Sequence, residues 1–311
     1  MVPPSGEQYE ISAGGYRAVV TECGAGLRVL EYDGRPLVQG YDEDETASAG
    51  RGQLLLPWPN RVRDGKYSFD GRDLQLPITE VARHNASHGL TRWTSWTLEE
   101  HTARSVSLVY RLMSQSGYPW TVDLHVLYDV SADGLTVTVT ATNLAGTRAP
   151  YAQGAHPYLV VGDAPAAATG IDGWELTLPA DTRLAVDERK NPVGRESVEG
   201  TGYDFRVARP LRGAELDTAF TDLGRDDEGR TEVRLLDPSG DHGVVVWMDD
   251  RHRWAQVYTG DDLPVRARTA VAVEPMTSPP NAFATGEDLV VLAPAGEPGD
   301  EHSSSWGIRT L

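Results

Sequence analysis

Residues 136–142 read TVTVTAT, and this strict alternation indicates the class of fold. Successive side chains of a β-strand point to opposite faces, so the threonines line one face and Val137, Val139 and Ala141 line the other. This pattern predicts a half-buried strand with one face on a core. The same period of two recurs in residues 105–112, 122–128, 231–236 and 244–248.

Tight turns separate the predicted strands. The 32 glycines and 20 prolines fit many short strands. Neither a long apolar stripe of period 3.6 nor an alternation of strands with helices is present, which argues against a parallel α/β fold. We predict an all-β chain, one large antiparallel β-sandwich domain over residues 1–311. Asp-Gly dipeptides, a strong hairpin signal, occur at residues 33–34, 64–65, 70–71, 133–134 and 172–173.

Shorter segments carry local expectations. A helical turn is expected at residues 179–187, and loop tips are expected at residues 164–169 and 224–230. The polar stretch 294–305, PAGEPGDEHSSS, is expected to be mobile at the surface. Residues 306–311, WGIRTL, are expected to return as a last strand.

The charge balance restricts the partners. The chain has 311 residues with 46 acidic and 28 basic side chains, and its formal charge is −18. A field of this sign repels nucleic acids and anionic membranes, so neither is expected as a partner. The single cysteine, Cys23, allows no intrachain disulfide.

No targeting or membrane segment is expected. The first ten residues, MVPPSGEQYE, lack the basic region and apolar core of a secretory signal. No apolar run approaches the roughly 20 residues that span a bilayer. We therefore expect a cytoplasmic protein, and the sequence leaves both a monomer and a homodimer open.

Two strand ends carry candidate groups for proton transfer. Residues 269–283 read TAVAVEPMTSPPNAF, an apolar strand that ends on Glu274 and is expected to stop at Pro275. Burial and neighbouring charges tune the pKa of such a carboxylate, which makes it a candidate general base. His156 stands at another strand end, before Pro157, and histidine titrates near neutrality. The alternatives are a solvated strand end for the glutamate and a packed, backbone-bonded histidine.

Further polar residues are candidates for ligand binding. The stiff bend at residues 57–59, PWP, precedes Arg61, whose five donors suit sugar hydroxyls or a carboxylate. Asp217 lies before a short apolar segment, where it either accepts hydrogen bonds from ligand hydroxyls or begins a turn. Gln256 and Tyr258 point to one face of a predicted strand.

His88 belongs to residues 84–90, HNASHGL, in which Gly89 allows a sharp turn. His84 and His88 have the i, i+4 spacing of a zinc pair on a helix, but Gly89 and the polar residues between them disfavour a helix. The chain has one cysteine and its other histidines are scattered, so no metal is expected.

Three common catalytic motifs are missing from the sequence. There is no Gly-x-Gly-x-x-Gly, no phosphate-binding loop and no Gly-x-Ser-x-Gly elbow. Dinucleotide-binding, nucleoside-triphosphate-binding and common serine-hydrolase functions are therefore not indicated.

The candidate segments occur in a definite order along the chain. In this order the chain resembles the aldose 1-epimerases, also called galactose mutarotase-like proteins. The resemblance spans roughly residues 16–292 and implies a large β-sandwich, a supersandwich, with the sugar site in an open cleft on one sheet. The segments are NRV (60–62), HG (88–89), HPY (156–158), LDTAF (216–220), QVYT (256–259) and VEPMTSPPNAF (273–283).

The resemblance implies roles for individual residues. Glu274 is the implied general base and His156 the implied general acid. Starting at the catalytic histidine, the galactose-specific members have a sequence like H-x-Y-F-N, whereas this chain reads HPYLV in residues 156–160. This difference leaves the preferred sugar open. The side chains implied to bind sugar hydroxyls are Arg61, His88, Asp217 and Gln256.

The implied activity is mutarotation of a free aldohexose such as glucose or galactose, by acid–base opening and closure of the ring. This chemistry needs neither a cofactor nor a metal, and the partner is a small monosaccharide. Two alternatives stay open. One is an epimerase of an anionic sugar, a hexose 6-phosphate or a sulfosugar, to which Arg61 and Arg63 would contribute. The other is a non-catalytic sugar-binding or sensor protein.

Overall fold

The computed structural model describes residues 2–161 and 170–311. The loop tip expected at residues 164–169 lies outside the described residues. Within them the chain forms 27 β-strands, a 3₁₀ turn at Val81–Arg83 and one short helix, α1 (Ala282–Thr285). In this part of the chain no helix is long and apolar enough to cross a membrane.

The strands are numbered in chain order. The first nine are β1 (Gln8–Ala13), β2 (Tyr16–Thr21), β3 (Leu27–Tyr32), β4 (Arg35–Pro36), β5 (Leu54–Leu55), β6 (Arg61–Arg63), β7 (Lys66–Phe69), β8 (Arg72–Gln75) and β9 (Asn85–Ser87). The next nine are β10 (Thr97–His101), β11 (Ser105–Leu112), β12 (Val122–Ser131), β13 (Gly134–Asn143), β14 (Ala149–Tyr151), β15 (Gly154–Ala155), β16 (Tyr158–Leu159), β17 (Glu175–Thr177) and β18 (Ala180–Val186). The last nine are β19 (Pro192–Ser197), β20 (Arg209–Pro210), β21 (Asp217–Leu223), β22 (Thr231–Leu236), β23 (Gly243–Met248), β24 (Trp254–Tyr258), β25 (Val271–Met276), β26 (Val290–Leu292) and β27 (Glu301–Thr310).

Two large antiparallel sheets dominate the fold. The nine-stranded sheet has the order β10-β11-β12-β13-β27-β23-β22-β17-β20. The eight-stranded sheet has the order β19-β18-β21-β24-β25-β15-β5, and β16 also pairs with β25. A four-stranded sheet, β1-β2-β3-β4, and three two-stranded pairs complete the described sheets. The predicted all-β antiparallel sandwich is confirmed.

One buried apolar cluster joins the two large sheets. Val137 and Val139 of β13 belong to it, as the alternation predicts, and so does Val273 of β25. The threonines of β13 face away from the cluster, where the hydroxyl groups of Thr138 and Ser305 lie 2.8 Å apart. Full burial of such an apolar side chain contributes roughly 1.5–3 kcal/mol, so the many alternating positions fix the register of the strands.

Three of the five Asp-Gly dipeptides join paired strands, as predicted. They connect β3 to β4 at residues 33–34, β7 to β8 at 70–71, and β12 to β13 at 133–134. Residues 64–65 turn between β6 and β7, which do not pair with each other, and residues 172–173 lie in a turn before β17. The hairpin signal is therefore confirmed at three of the five dipeptides.

Two local expectations are wrong. The helical turn expected at residues 179–187 is the strand β18, which pairs with β19 on one side and β21 on the other. Backbone pairing on both sides outweighs the local turn signal. The stretch 294–305 is not mobile throughout, because β27 begins at Glu301 and its serine hydroxyls bond to threonine hydroxyls of β13. The expected last strand at residues 306–311 is confirmed and begins earlier than predicted.

We expect Leu124→Ala to lower the free energy of unfolding by roughly 2–5 kcal/mol, because it leaves a cavity in the apolar cluster. The Leu124 side chain on β12 is 1% exposed. Leu127 lies on the opposite face of the same strand and is 36% exposed, so Leu127→Ala is a matched control with an expected loss below about 1 kcal/mol. Urea unfolding followed by circular dichroism measures both. Equal losses of unfolding free energy in the two variants would contradict the assignment of one buried and one exposed face to β12.

Candidate active site

The eight-stranded sheet places three of the predicted site residues on one face. Gln256 on β24 lies opposite Glu274 on β25 and opposite Ala219 on β21. Asp217 is two residues from Ala219 and therefore on the same face, where its Oδ1 accepts a hydrogen bond of 2.6 Å from Gln256 Nε2. Val257, the next residue along β24, points the other way and belongs to the apolar core.

The strand that carries Glu274 is longer than predicted. Pro275 was expected to end it, but β25 runs to Met276. On one side of β25 the pairing is interrupted, because β16 pairs no further than Ala272 and β15 pairs only at Met276. A proline is tolerated at this interruption. His156 lies between β15 and β16, at this gap.

The gap brings His156 into contact with Glu274. Nε2 of the histidine lies 3.3 Å from Oε1 of the glutamate, and the two side chains are 6% and 3% exposed. The imidazole ring stacks on Tyr158 with ring centres 5.0 Å apart. Gly50 packs against the ring edge, where a Cβ atom would lie 2.8 Å from the histidine Cδ2. The imidazole therefore needs glycine at position 50.

Burial sets the proton affinities of this pair. Desolvation, followed by the negative charge of Asp217, raises the pKa of Glu274 well above its usual range. Desolvation, followed by the positive charge of Arg92, lowers the pKa of His156 to about 3. The raised pKa of Glu274 and the lowered pKa of His156 both favour the neutral forms of the side chains, because two charges are costly in a site without water. Without a ligand, Glu274 and His156 are therefore not in the ionised-base and protonated-acid forms that their implied roles require.

Arg61 is held by a carboxylate that sequence reasoning missed. Glu80 accepts hydrogen bonds from Nε of Arg61 at 2.9 Å and from its Nη2 at 3.2 Å. The same guanidinium lies 3.7 Å from Asp217. Arg83 and Asn85 also donate to Glu80. No motif marks Glu80 in the sequence, and only the pairing of β6 with β9 brings it near Arg61.

His88 reaches the site from a sharp turn. The φ angle of Gly89 is +72°, and a Cβ atom there would lie 2.0 Å from the carbonyl oxygen of Leu56, so only glycine fits. The backbone N–H of Asn60 donates to Nδ1 of His88 at 3.2 Å, which leaves the proton of the neutral ring on Nε2. Burial, followed by the charge of Arg92, lowers the pKa of His88 and keeps its ring neutral.

The helix that a zinc pair would require does not form. Asn85–Ser87 is the strand β9, and His84 has a left-handed backbone with φ of 52°. Nδ1 of His84 lies 3.0 Å from Oδ1 of Asp64. Within residues 2–161 and 170–311 no group of three or more His, Cys, Asp or Glu side chains is placed to hold a metal ion.

One cavity of about 290 Å³ brings the six sequence-predicted residues together. Its volume is close to the lower limit of roughly 300–1,000 Å³ for small-ligand sites. Larger grooves of about 810 and 480 Å³ elsewhere on the described surface are lined by no histidine. The predicted residues are Arg61, His88, His156, Asp217, Gln256 and Glu274. Lining residues that sequence reasoning missed include Gly50, Glu80, Arg83, Arg92, Trp93 and Asp262.

Three buried polar atoms of these residues have no hydrogen-bond partner in the described structure. They are Oε2 of Glu274, Nδ1 of His156 and Oε1 of Gln256. Leaving a buried polar group unpaired costs about 1–3 kcal/mol, so unpaired atoms in a cavity call for a ligand that supplies the partners. The arrangement suits a small ligand rich in hydroxyl groups.

Comparison with known proteins gives matches along almost the whole chain. The family model described as aldose 1-epimerase matches residues 7–305. The uncharacterized protein YihR of Escherichia coli K12 is 36% identical over 306 residues, which cover 98% of this chain and 94% of that protein. The aldose 1-epimerase of the same organism is 27% identical over 223 residues, which cover 68% of this chain and 60% of that enzyme.

A solved structure shows the same fold. The GalM/aldose epimerase homologue from C. elegans superposes with a TM-score of 0.86 at 22% identity, and the match covers 98% of both chains. At that identity the likeness concerns the fold alone.

We expect Gly50→Ala to displace the ring of His156, because the added methyl group would lie 2.8 Å from its Cδ2. Gly34→Ala is the matched control, since Gly34 has φ of +79° against +80° for Gly50, and no atom lies within 4 Å of its added methyl group. Both variants should lose roughly 1–2 kcal/mol of stability to backbone strain. The ring-nitrogen NMR signals of His156 should move only in Gly50→Ala, and unchanged signals there would contradict the packing described.

Proposed function

Because the chain belongs to the aldose 1-epimerase family, we propose that it interconverts the α and β anomers of a free aldohexose such as glucose or galactose. The observation that carries the proposal is the buried contact of 3.3 Å between Glu274 Oε1 and His156 Nε2. Reversible opening of a hemiacetal ring needs one proton acceptor and one proton donor on the same substrate, and this contact supplies both.

Ring opening moves two protons. The carboxylate of Glu274 takes the proton of the C1 hydroxyl, and the O1 electrons form the C1=O double bond as the C1–O5 bond breaks. The imidazolium of His156 gives its proton to O5. Rotation about C1–C2 then turns the other face of the aldehyde toward O5. The reverse steps close the ring as the other anomer and return both protons.

One proton on the Glu274–His156 pair is enough for the whole cycle. Burial favours a protonated glutamate beside a neutral imidazole, which is the state that closes an open-chain sugar. Transfer of that proton across the 3.3 Å contact gives the carboxylate and imidazolium that open a ring. Sugar hydroxyls in the cavity would stabilise these charged forms by hydrogen bonding.

Four further side chains hold the sugar in this proposal. Asp217 accepts hydrogen bonds from hydroxyls, and Arg61 donates them from a guanidinium whose plane is fixed by Glu80. Gln256 offers its unpaired amide oxygen, and His88 donates from Nε2. The chemistry calls for neither a metal nor a nucleotide.

The proposal extends to the setting of the enzyme. The chain would act as a single domain over residues 1–311, in the cytoplasm, as a monomer or a homodimer, with a monosaccharide as its partner. The support for one domain is that one large buried cluster has members from Ile11 to Ile308, beside a small second cluster of four residues. The formal charge of −18 disfavours nucleic acids and anionic membranes as partners.

Polarimetry of freshly dissolved α-D-glucose and α-D-galactose tests the activity. We expect the protein to speed the approach to anomeric equilibrium, and Glu274→Gln to lower that rate by at least about 10²-fold, because an amide cannot take the O1 proton. Sugar binding measured by calorimetry should survive in this variant. Glu297→Gln, which alters an exposed carboxylate, should leave the rate unchanged.

Two results would contradict this expectation. Binding of a broad sugar panel without any acceleration would identify a sugar-binding or sensor protein. Turnover of Glu274→Gln close to that of the unaltered protein would remove Glu274 as the base.

We expect kcat/KM to be independent of pH over the range in which the Glu274–His156 pair holds one proton. On the acid side of the profile kcat/KM should fall near pH 3. There His156, whose pKa is lowered by burial, is protonated, and the pair holds two protons. The alkaline limb should lie well above the ordinary range of glutamate, because burial raises the pKa of Glu274 and the pair then loses its last proton. Anomer exchange by NMR at each pH, with circular dichroism as a control for folding, measures both limbs. A loss of activity as the pH falls from about 7 to 5, typical of an unperturbed histidine, would contradict the shared proton.

A further inference from the structure

A chain of buried hydrogen bonds joins the nine-stranded sheet to the segment just before β15. Four polar side chains form it, and it ends on the carboxylate of Asp249. The four are Tyr151, Gln153, His252 and Ser304, and each is at most 2% exposed. None of these five residues lines the cavity of about 290 Å³. The hydrogen-bonded chain is therefore separate from the site described above.

All hydrogen bonds of this chain run in one direction. The hydroxyl group of Tyr151 donates to Oε1 of Gln153 at 2.8 Å, and Nε2 of Gln153 donates to Oγ of Ser304. Nδ1 of His252 lies 2.8 Å from Oδ1 of Asp249, so the carboxylate keeps the ring proton on Nδ1. Nε2 of the same ring lies 3.4 Å from Oγ of Ser304 and accepts its hydroxyl proton. Bonds that all point toward one carboxylate strengthen one another.

The order of Ser304, His252 and Asp249 is that of a serine-hydrolase triad, but the serine is buried. Its oxygen also accepts a hydrogen bond from Gln153. A nucleophilic serine needs access to its substrate and donors for an oxyanion beside it. The same three side chains can instead hold a partner in place, and the partner that they contact is Gln153.

The backbone of Gln153 joins the two segments that carry His156 and Glu274. Its N–H group donates to Oγ1 of Thr277 at 3.0 Å, and its carbonyl oxygen accepts a hydrogen bond of 2.9 Å from the N–H group of Thr277. His156 follows three residues after Gln153, and Thr277 follows three residues after Glu274. The position of Gln153 therefore affects how closely His156 and Glu274 approach.

Strand pairing alone fixes this approach weakly. The strand β15 has two residues, and one register pair, Gly154 with Met276, joins it to β25. His156 lies directly after β15, in the gap before β16. An anchored side chain at the start of β15 supplies a constraint that so short a strand lacks.

We propose that Gln153 is a positioning residue that fixes the 3.3 Å contact between His156 and Glu274. Ser304, and through it His252, holds the Gln153 side chain from the nine-stranded sheet. The effect on a reaction rate rests on the proposed function, whereas the position of the His156 ring can be measured without a substrate. Misplacing reacting groups by about 1 Å lowers a rate by as much as about 10²-fold, so loss of the anchor lowers kcat.

NMR of the histidine ring nitrogens tests the position in the absence of sugar. In Ser304→Ala we expect the signals of His252 to move because its hydrogen bond is lost, and those of His156 to move because the anchor is loosened. Ser303→Ala is the matched control on the same strand, since the Ser303 hydroxyl lies on the opposite face, 2.9 Å from that of Thr140. This control should leave the His156 signals unchanged.

A second variant tests the other end of the hydrogen-bonded chain. Tyr151→Phe removes one oxygen atom and frees Oε1 of Gln153. We expect it to move the His156 signals as well. Because Tyr151→Phe and Ser304→Ala each delete a single atom at different places, the test does not depend on the folding of one variant.

Anomer-exchange NMR on glucose and galactose measures the effect on the reaction. Gln153→Leu removes both side-chain bonds, and we expect kcat to fall by about tenfold or more while KM stays close to that of the unaltered protein. Ser304→Ala should lower kcat in the same way. Combined with Gln153→Leu it should cause no further loss, because the bond that it removes is already absent. Circular dichroism and the urea midpoint establish that each variant is folded.

The outcomes separate the positioning role from the proposed function. If the unaltered protein speeds neither sugar, the epimerase function is overturned, and the His156 signals still decide the positioning role. Unchanged His156 signals in both Ser304→Ala and Tyr151→Phe overturn that role. An unchanged kcat in folded Gln153→Leu of an active protein overturns it too.

Two further results concern Ser304. A double variant whose loss of kcat equals the product of the two single losses overturns the action of Ser304 through Gln153. Hydrolysis of p-nitrophenyl acetate that disappears in Ser304→Ala identifies a working hydrolase triad and overturns the purely positioning role of the serine.

Discussion

The site depends on a carboxylate placed in the middle of a fully buried strand. All six residues of β25 are buried, and Glu274 is one of them. An isolated charge at such a place would cost several kcal/mol, so the pKa of Glu274 rises and its neighbours are polar. The strand can carry this group because its alternate residues, such as Val273, pack in the apolar core. The alternation that builds the sandwich thus also supplies the face on which Glu274 and His156 meet.

The polar groups of the cavity are fixed before any ligand binds. Tyr158 and Gly50 hold the ring of His156, and Glu80 holds the guanidinium of Arg61. Groups fixed in advance need no reorganisation when charge develops on a substrate. Oε2 of Glu274 is the opposite case, because it has no hydrogen-bond partner in the described structure and leaving it unpaired lowers the stability of the protein. In the proposed function a hydroxyl group of the sugar would supply the partner.

The sequence predicts local features better than those that depend on distant pairing. The alternation in β13 and β12 is visible because the period of two is a property of each segment. The strand β18 was missed because its pairing with two other strands decides its conformation. Glu80 was missed for a similar reason, since it lies 19 residues from Arg61 and no motif joins them. Physical patterns alone left Glu274 as a solvated strand end or a base, and only the resemblance in segment order grouped the six site residues.

The net charge of the chain acts differently on a polyanion and on a small ligand. A polyanion extends over the surface and meets the whole field of a chain with a formal charge of −18. A small ligand in the cavity of about 290 Å³ would meet a different field, because charges farther away than roughly 8 Å are screened at physiological ionic strength. Within that distance the charged side chains that line the cavity dominate the field, and they act more strongly in a medium less polar than water. A strongly acidic surface can therefore disfavour nucleic acid as a partner while a few nearby side chains set the electrostatic field inside the cavity.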